Sequence, residues 1–142
     1  MRRDRKFITS PRELETGERI DDFITIVLLS ENYGYRMKSY GPVPLLKIGN
    51  KSLIDIQIEE IRSVFSDFEI ILCSGFGSLK IAKYIRFRYP NLNVRIVENQ
   101  LYEYSNSCES LRLCLNNTTN NKVLICSGEL IINRDVLSLT TL

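Results

Sequence analysis

The residues best suited to chemistry lie in the loop that follows the first apolar run of the chain. The run covers residues 24–29, the loop after it carries Gly34 and Arg36, and Lys47 follows further along. Glycine lets backbone N–H groups approach a phosphate closely, and a cation neutralises the phosphate charge. A buried strand that leads into a loop with glycine and cations, and then into a helix, therefore predicts a site for a phosphorylated ligand.

The composition excludes several other kinds of site. The chain has 142 residues, no histidine, and 4 cysteines without a CxxC spacing. This argues against a zinc site and excludes Ser-His and Cys-His catalysis. The net charge is only +2, so no overall field recruits nucleic acid, and no apolar run has the length of a membrane span. We expect neither nucleic acid nor a membrane among the partners.

The N-terminal residues and the cysteines indicate how the chain is organised. Residues 1–22 are mostly polar and lack the apolar core of a signal peptide. They are predicted to form an extension through which a protein partner could bind, and residues 23–142 are predicted to form one domain. Cys73 and Cys126 lie inside apolar runs and are interpreted as buried residues in a reducing compartment. We therefore expect a cytoplasmic protein.

Two amphipathic helices are predicted next to the loop. In residues 52–65, isoleucines and a phenylalanine recur at helical spacing, and Ser52 with Asp55 suggests a loose capping box. A second helix is predicted over residues 78–88, with Ser78 as its cap. Its predicted inner face is formed by Leu79, Ala82 and Ile85.

Strand and helix patterns alternate along the rest of the chain. Strands are predicted at residues 69–73, 94–97 and 123–126, a short strand at 45–48, and an extended segment at 130–132. Further helices are predicted at residues 108–115 and from Arg134, where Asn133 can act as the cap. This order predicts an α/β fold with three layers, α/β/α, around a mostly parallel sheet.

In such sheets the ligand lies beyond the carboxyl ends of the strands. In this chain, those ends are predicted at residues 30–36, 74–77, 98–99 and 127–129. Most of the residues that could do chemistry fall within these segments, which predicts a single site at one edge of the sheet.

The same segments resemble the NTP-transferase family of sugar-phosphate and phosphocholine nucleotidyltransferases, which have a Rossmann-like fold. LLSENYGYRM, residues 28–37, is similar to the family pattern LAAGxGSRM, and PVPLLKIGNKSLI, residues 42–54, is similar to PKPLLxVxGKPLI. ILCSGF, YSNSCESLRL and VLICSGELII follow in the places of the family's IVTGY, TNNxxSL and LLxxGDVxF. The similarity extends over residues 24–137.

The resemblance implies transfer of a nucleoside monophosphate from an NTP to a phosphorylated small molecule, such as a sugar phosphate or phosphocholine, with Mg²⁺ as cofactor. The attacking phosphate is already an anion, so no histidine base is needed. The implied nucleotide contacts are Leu28, Ser30, Asn32, Gly34, Tyr35, Arg36, Ser74 and Gly75. The resemblance also implies catalytic roles for Arg36 and Lys47, acceptor binding by Asn106 and Glu109, and Mg²⁺ binding by Glu129.

Departures from the family pattern leave a second interpretation open. Asn32 replaces the first glycine of the family loop, Val43 replaces a lysine that grips phosphate, and Glu129 replaces the metal-binding aspartate. Family enzymes also have a C-terminal half that this sequence does not contain. The alternative prediction is a catalytically inactive protein with the nucleotidyltransferase fold that acts as a binding or structural subunit.

Each candidate also has a plain structural interpretation. Gly34 and Arg36 could form a solvated surface turn, and Ser74 with Gly75 could form only a strand-to-helix turn. The polar segment that contains Asn99, Ser105, Asn106 and Glu109 could be a loop with a helix cap at Ser105 or Ser107.

Overall fold

A computed structural model describes residues 23–32, 34 and 36–141. Its strands and helices are β1 (Ile24–Ser30), β2 (Lys47–Ile48), β3 (Lys51–Ser52), α1 (Leu53–Val64), β4 (Phe68–Ser74), α2 (Ser78–Arg88), β5 (Val94–Glu98), α3 (Ser107–Leu115), β6 (Val123–Ser127) and α4 (Arg134–Ser138). Short 3₁₀ helices cover Lys38–Tyr40, Val43–Leu45 and Leu139–Thr141. The predicted N-terminal extension and Tyr35 lie outside the described residues. Among the helices described, none combines the length and apolar character that a membrane span requires.

The central sheet has the strand order β5–β4–β1–β6, and its neighbouring strands run parallel. Leu28 in β1 lies between Leu72 in β4 and Cys126 in β6. A small antiparallel ribbon of β2 and β3 lies apart from this sheet. The predicted α/β class with a mostly parallel sheet is confirmed.

Helices cover both faces of the sheet. Ile26 and Leu28 pack in one cluster with residues of α1, α2 and α4, whereas Val27 packs in a second cluster with Ile71 and with Cys114 of α3. Successive side chains of a strand point to opposite faces, so β1 is buried on both sides. This explains why its sequence is continuously apolar rather than alternating, and it gives the three predicted layers.

The predicted helix α1 forms with its capping box. The Ser52 hydroxyl oxygen accepts a hydrogen bond from the Asp55 N–H at 3.3 Å, and the Asp55 carboxylate accepts one from the Ser52 N–H at 3.2 Å. Ile54, Ile58 and Ile61 are fully buried. This stripe holds α1 against the sheet, and the first turn of α1 directly follows β3.

The predictions for α2 were partly wrong. Its cap residue is Gly77, with φ +69°, and Ser78 is already helical. Ile81 and Ile85 form the buried face, whereas Leu79 is 68% exposed. A spacing of three residues drifts around a helix of 3.6 residues per turn, so Leu79 lies away from the sheet. Ile85 is buried as predicted, together with Ile81 four residues before it.

Two smaller predictions also need correction. The short strand predicted at 45–48 is limited to Lys47–Ile48, because Val43–Leu45 form a 3₁₀ turn. Residues 130–132, predicted only as an extended segment, lie outside the helices and strands. Cys73 is fully buried as predicted, but Cys126 is only partly buried because β6 lies at the edge of the sheet.

Candidate functional site

Backbone hydrogen bonds join the carboxyl ends of the four parallel strands. The Phe76 N–H donates to the Glu31 carbonyl at 3.5 Å, and the Asn99 N–H donates to the Ser74 carbonyl at 2.8 Å. The Gly128 N–H donates to the Leu29 carbonyl at 2.7 Å. The structure thus brings together, at the carboxyl ends of the strands, the segments that were predicted from the sequence to meet there.

Two glycines at this edge allow the segments to approach closely. A Cβ atom at Gly75 would lie 2.6 Å from the Glu31 carbonyl oxygen and 2.6 Å from the Tyr102 side chain. A Cβ atom at Gly128 would lie 1.8 Å from the Ser30 hydroxyl oxygen. Neither position can hold a larger residue without movement of the backbone or of its neighbours.

The loop after β1 folds back onto a buried valine. Gly34 has φ +52°, and a Cβ atom on it would lie 2.9 Å from Cγ2 of Val43. The Met37 N–H donates to the Gly34 carbonyl at 2.6 Å, which closes a turn. Val43, in the place of the family's lysine, is therefore a packing residue that supports the loop, because its side chain is buried.

The polar side chains predicted to meet the phosphates are exposed around this loop. Asn32 and Arg36 are exposed, and Lys47 is exposed on the ribbon of β2 and β3. An exposed guanidinium offers several N–H donors to an anion such as a phosphate. The structure leaves Arg36 available for the predicted role, which remains a prediction.

Other predicted nucleotide contacts are buried. The Leu28 side chain is part of the core, so only its backbone could contribute to a site. Ser74 is buried, and its hydroxyl lies 2.8 Å from that of Ser78. The buried Ser30 hydroxyl has no hydrogen-bond partner among the described residues. Their roles in binding remain predictions.

The predicted acceptor residues take part in local interactions of α3. Asn106 is the helix cap, with its side-chain oxygen 3.1 Å from the Glu109 N–H, whereas the sequence suggested Ser105 or Ser107. Glu109 accepts two hydrogen bonds from Arg112, at 2.8 and 2.6 Å. The Arg112 hydrogen bonds lower the pKa of Glu109. A role in acceptor binding would require Glu109 to leave this pair.

Asn99 holds the neighbouring loop in place. Its side-chain nitrogen donates to the hydroxyls of Ser105 at 2.8 Å and Ser110 at 2.9 Å, and its oxygen accepts from the Leu101 N–H at 3.0 Å. Asn99 is 1% exposed. The side chain interacts entirely with its own loop and α3, and it fixes the segment that carries Tyr102 over the end of β4.

Sequence reasoning missed Glu31, the residue that directly follows β1. It is 3% exposed, and within the described part of the chain one of its carboxylate oxygens has no hydrogen-bond partner. A glutamate after a strand looks like a solvated loop residue. Continuing the strand alternation from Val27 and Leu29 would have placed it on the face of α3.

Glu129 follows β6 at the same edge. It is exposed, and its N–H donates to the Ser127 hydroxyl at 3.3 Å. No group of three or more His, Cys, Asp or Glu side chains in residues 23–32, 34 and 36–141 is arranged to hold a metal ion. Mg²⁺ in phosphoryl-transfer sites often uses one or two protein carboxylates and takes its other ligands from phosphates and water. The single carboxylate of Glu129 fits that kind of site.

Comparison with solved structures defines the class of fold. No protein-family model matches the sequence, and no curated protein matches it. The chain has the fold of nucleotidyltransferases. It superposes on CTP:phosphocholine cytidylyltransferase from Streptococcus pneumoniae with a TM-score of 0.62 and 22% identity, covering 79% of this chain and 50% of that chain.

Two other solved structures support the same fold. 4-Diphosphocytidyl-2C-methyl-D-erythritol synthase from Anaerococcus prevotii gives a TM-score of 0.60 and 21% identity, with coverage of 81% of this chain and 47% of that chain. Inositol-1-phosphate CTP transferase from T. maritima gives 0.58 and 16%, with coverage of 73% and 42%. The chain thus spans about half the length of these proteins, and at such identities the similarity establishes the fold alone.

Proposed function

We propose that the chain binds a nucleoside triphosphate at the carboxyl edge of its sheet and transfers the nucleoside monophosphate to a phosphorylated small molecule, such as a sugar phosphate or phosphocholine. The observation that carries the proposal is that backbone hydrogen bonds and glycine contacts join the segment 29–31, from which the loop with Gly34 and Arg36 continues, to the turns at Gly75 and Gly128 at this edge. The fold shared with a CTP:phosphocholine cytidylyltransferase supports it.

In this mechanism the protein mainly positions charges. Arg36 stabilises the negative charge that builds up on the triphosphate, and Lys47 adds a second cation from the ribbon. The acceptor phosphate attacks as an anion and needs no general base. Mg²⁺, when bound, supplies further charge neutralisation, and Glu129 is the residue that would hold it.

A second candidate function is nucleotide or protein binding without catalysis. Val43 is buried where the family pattern has a lysine, and Glu109 is paired with Arg112. Both observations favour a protein that keeps the nucleotidyltransferase fold but has lost catalytic activity. In this case residues 1–22 would serve as the attachment to a protein partner.

We also propose a cytoplasmic location. None of the four cysteines forms a disulfide in the structure; they are Cys73, Cys108, Cys114 and Cys126. Unpaired thiols are typical of reducing compartments.

Nucleotide binding is tested by thermal unfolding with each NTP in the presence of Mg²⁺. A ligand that binds only the folded state raises Tm as its concentration exceeds Kd. We expect one or more NTPs to raise the Tm of the wild-type chain, and Arg36→Ala to abolish the rise. Arg86→Ala, which removes an exposed arginine from α2, is the matched control and should retain it. Absence of a shift at millimolar concentration of every NTP would contradict the proposal.

Catalysis is tested by pyrophosphate release with phosphocholine and sugar phosphates as acceptors. Release that depends on an acceptor supports transfer, and Glu129→Gln should weaken its dependence on Mg²⁺. Asp67→Asn is the control, because Asp67 is exposed and directly precedes β4. It therefore lies at the amino-terminal ends of the strands, away from the candidate site at their carboxyl ends. A Tm shift without pyrophosphate release for any acceptor would favour the binding function.

A further inference from the structure

Gln57 of α1 binds the turn that carries Glu129. Its side-chain nitrogen donates to the Gly128 carbonyl at 3.3 Å and to the Leu130 carbonyl at 2.7 Å. These two carbonyls belong to the residues directly before and directly after Glu129. A glutamine side-chain nitrogen carries two N–H donors, so both of them are used here. One side chain therefore holds the backbone on either side of Glu129.

The Gln57 side chain makes these contacts from inside the core. It is 0% exposed and lies on the face of α1 that carries Ile54, Ile58 and Ile61. Its side-chain oxygen has no hydrogen-bond partner within the described part of the chain, and an unpaired buried acceptor is unfavourable. An apolar residue would avoid that cost but would leave the turn without both hydrogen bonds. What a glutamine adds at this position is therefore the attachment of the turn.

Further hydrogen bonds hold the same turn. The Gly128 N–H donates to the Leu29 carbonyl of β1 at 2.7 Å, and the Glu129 N–H donates to the Ser127 hydroxyl at 3.3 Å. Together with the bonds from α1, they fix the turn against two elements of the core. The Glu129 side chain itself is exposed. The turn therefore presents a carboxylate at the carboxyl edge of the sheet while its own backbone is held in place.

We propose that Gln57 is a positioning residue for Glu129 as a Mg²⁺ ligand, acting through the backbone of the turn and not by contact with the metal. This inference rests on the proposed function, in which Glu129 holds Mg²⁺. Hydrogen bonds around a metal site orient the groups that bind the metal, and the loss of such a bond typically weakens metal binding about 10- to 100-fold. Loss of the Gln57 bonds should weaken Mg²⁺ binding in the same way.

A second contact between α1 and the chain after β6 provides a matched control. The Glu60 carboxylate accepts hydrogen bonds from the Arg134 N–H at 2.8 Å and from the Arg134 guanidinium at 3.2 and 3.1 Å. Glu60 lies about one helical turn after Gln57. Glu60→Gln weakens this second attachment to α1 but leaves both hydrogen bonds beside Glu129 in place. A purely structural role of such attachments would make the two variants behave alike.

The test is NMR of the full chain with Mn²⁺, a paramagnetic substitute for Mg²⁺ that broadens nearby amide signals. Mn²⁺ is titrated with ATP, GTP, CTP and UTP in turn. In the wild type, the signals of residues 128–130 should broaden. Gln57→Met keeps a side chain of similar length without the two donors, and it should raise the Mn²⁺ concentration for half-maximal broadening about tenfold. Glu60→Gln should leave that concentration unchanged.

Far-UV circular dichroism checks that each variant is folded. Gln57→Asn keeps an amide that is one methylene too short to hold both carbonyls, and it takes the place of Gln57→Met if that variant does not fold. Equal broadening in the wild type and in a folded Gln57 variant overturns this inference alone and leaves the proposed function intact. Absence of broadening at residues 128–130 in the wild type with every NTP removes the Mg²⁺ role of Glu129 from the proposed function and overturns this inference with it.

Discussion

The hydrogen-bonded Asp55 carboxylate should make α1–α2 packing depend on pH. Asp55 is 4% exposed. One of its oxygens accepts from the Tyr89 hydroxyl at 2.5 Å, and the other accepts from the Tyr84 hydroxyl at 2.6 Å and from the Ser52 N–H at 3.2 Å. Burial raises the pKa of Asp55, but the hydrogen bonds from Tyr84, Tyr89 and Ser52 outweigh burial and lower it to about 2.

The magnitude follows from the difference between this pKa and the usual value of 3.8. Each pKa unit corresponds to about 1.4 kcal/mol, so ionised Asp55 contributes roughly 2 kcal/mol to the free energy of unfolding. Since the pKa is lower in the folded state, this contribution is fully present above pH 3.8. It is lost as the pH falls towards 2.

The assay is urea unfolding of the wild type and Asp55→Asn at several pH values. At pH 7 the variant should be less stable by roughly 2 kcal/mol, because an uncharged amide offers one acceptor oxygen to two tyrosines. Between pH 5 and pH 2 the difference between the two proteins should shrink towards a small residual. A difference that stays constant over this range would refute the assigned role of the Asp55 charge.

Three further predictions concern other contacts in the fold. Gly128→Ala should lower the free energy of unfolding by about 1–3 kcal/mol in chemical denaturation, because the new methyl group would overlap Ser30 and the Leu29 backbone. Asn99→Ala should cost about 1–3 kcal/mol and speed amide hydrogen exchange in residues 100–105, since it removes the hydrogen bonds that hold that loop. Burial and the Asp55 carboxylate raise the pKa of Tyr89 in the folded chain, so above pH 10 this hydroxyl ionises first in the unfolded chain. Wild-type stability should therefore fall above pH 10, and Tyr89→Phe should lack that loss.

The fold was predictable from the sequence because strong local patterns coincide with tertiary burial. The continuous apolar run of β1 and the isoleucine stripe of α1 each describe a surface that must be buried, and each forms within one residue of the predicted bounds. The face of α2 was predicted correctly at Ile85 but wrongly at Leu79, because its apolar residues allow two spacings. Only contact with the sheet selects Ile81 and Ile85.

The candidate site was predictable as an edge of the sheet but not as a set of contacts. Parallel topology brings the ends of the strands together, and the sequence is sufficient to predict that. The burial of Glu31 depends on packing between segments distant in sequence. The pair of Glu109 with Arg112 is instead a local i, i+3 contact on α3, which the helical spacing could have predicted. The packing of Val43 on Gly34 was likewise not predictable from the sequence, and only the structure reveals it.

The central claim is that a nucleoside triphosphate binds at the carboxyl edge of the sheet. The most direct measurement is amide chemical-shift mapping by NMR on the full chain, titrated with NTP and Mg²⁺. We predict shifts concentrated at residues 31–36, 75–77 and 128–129. Shifts concentrated instead in the 350 Å³ cleft lined by Arg62, Arg88 and Tyr89, or no shifts at all, would contradict it.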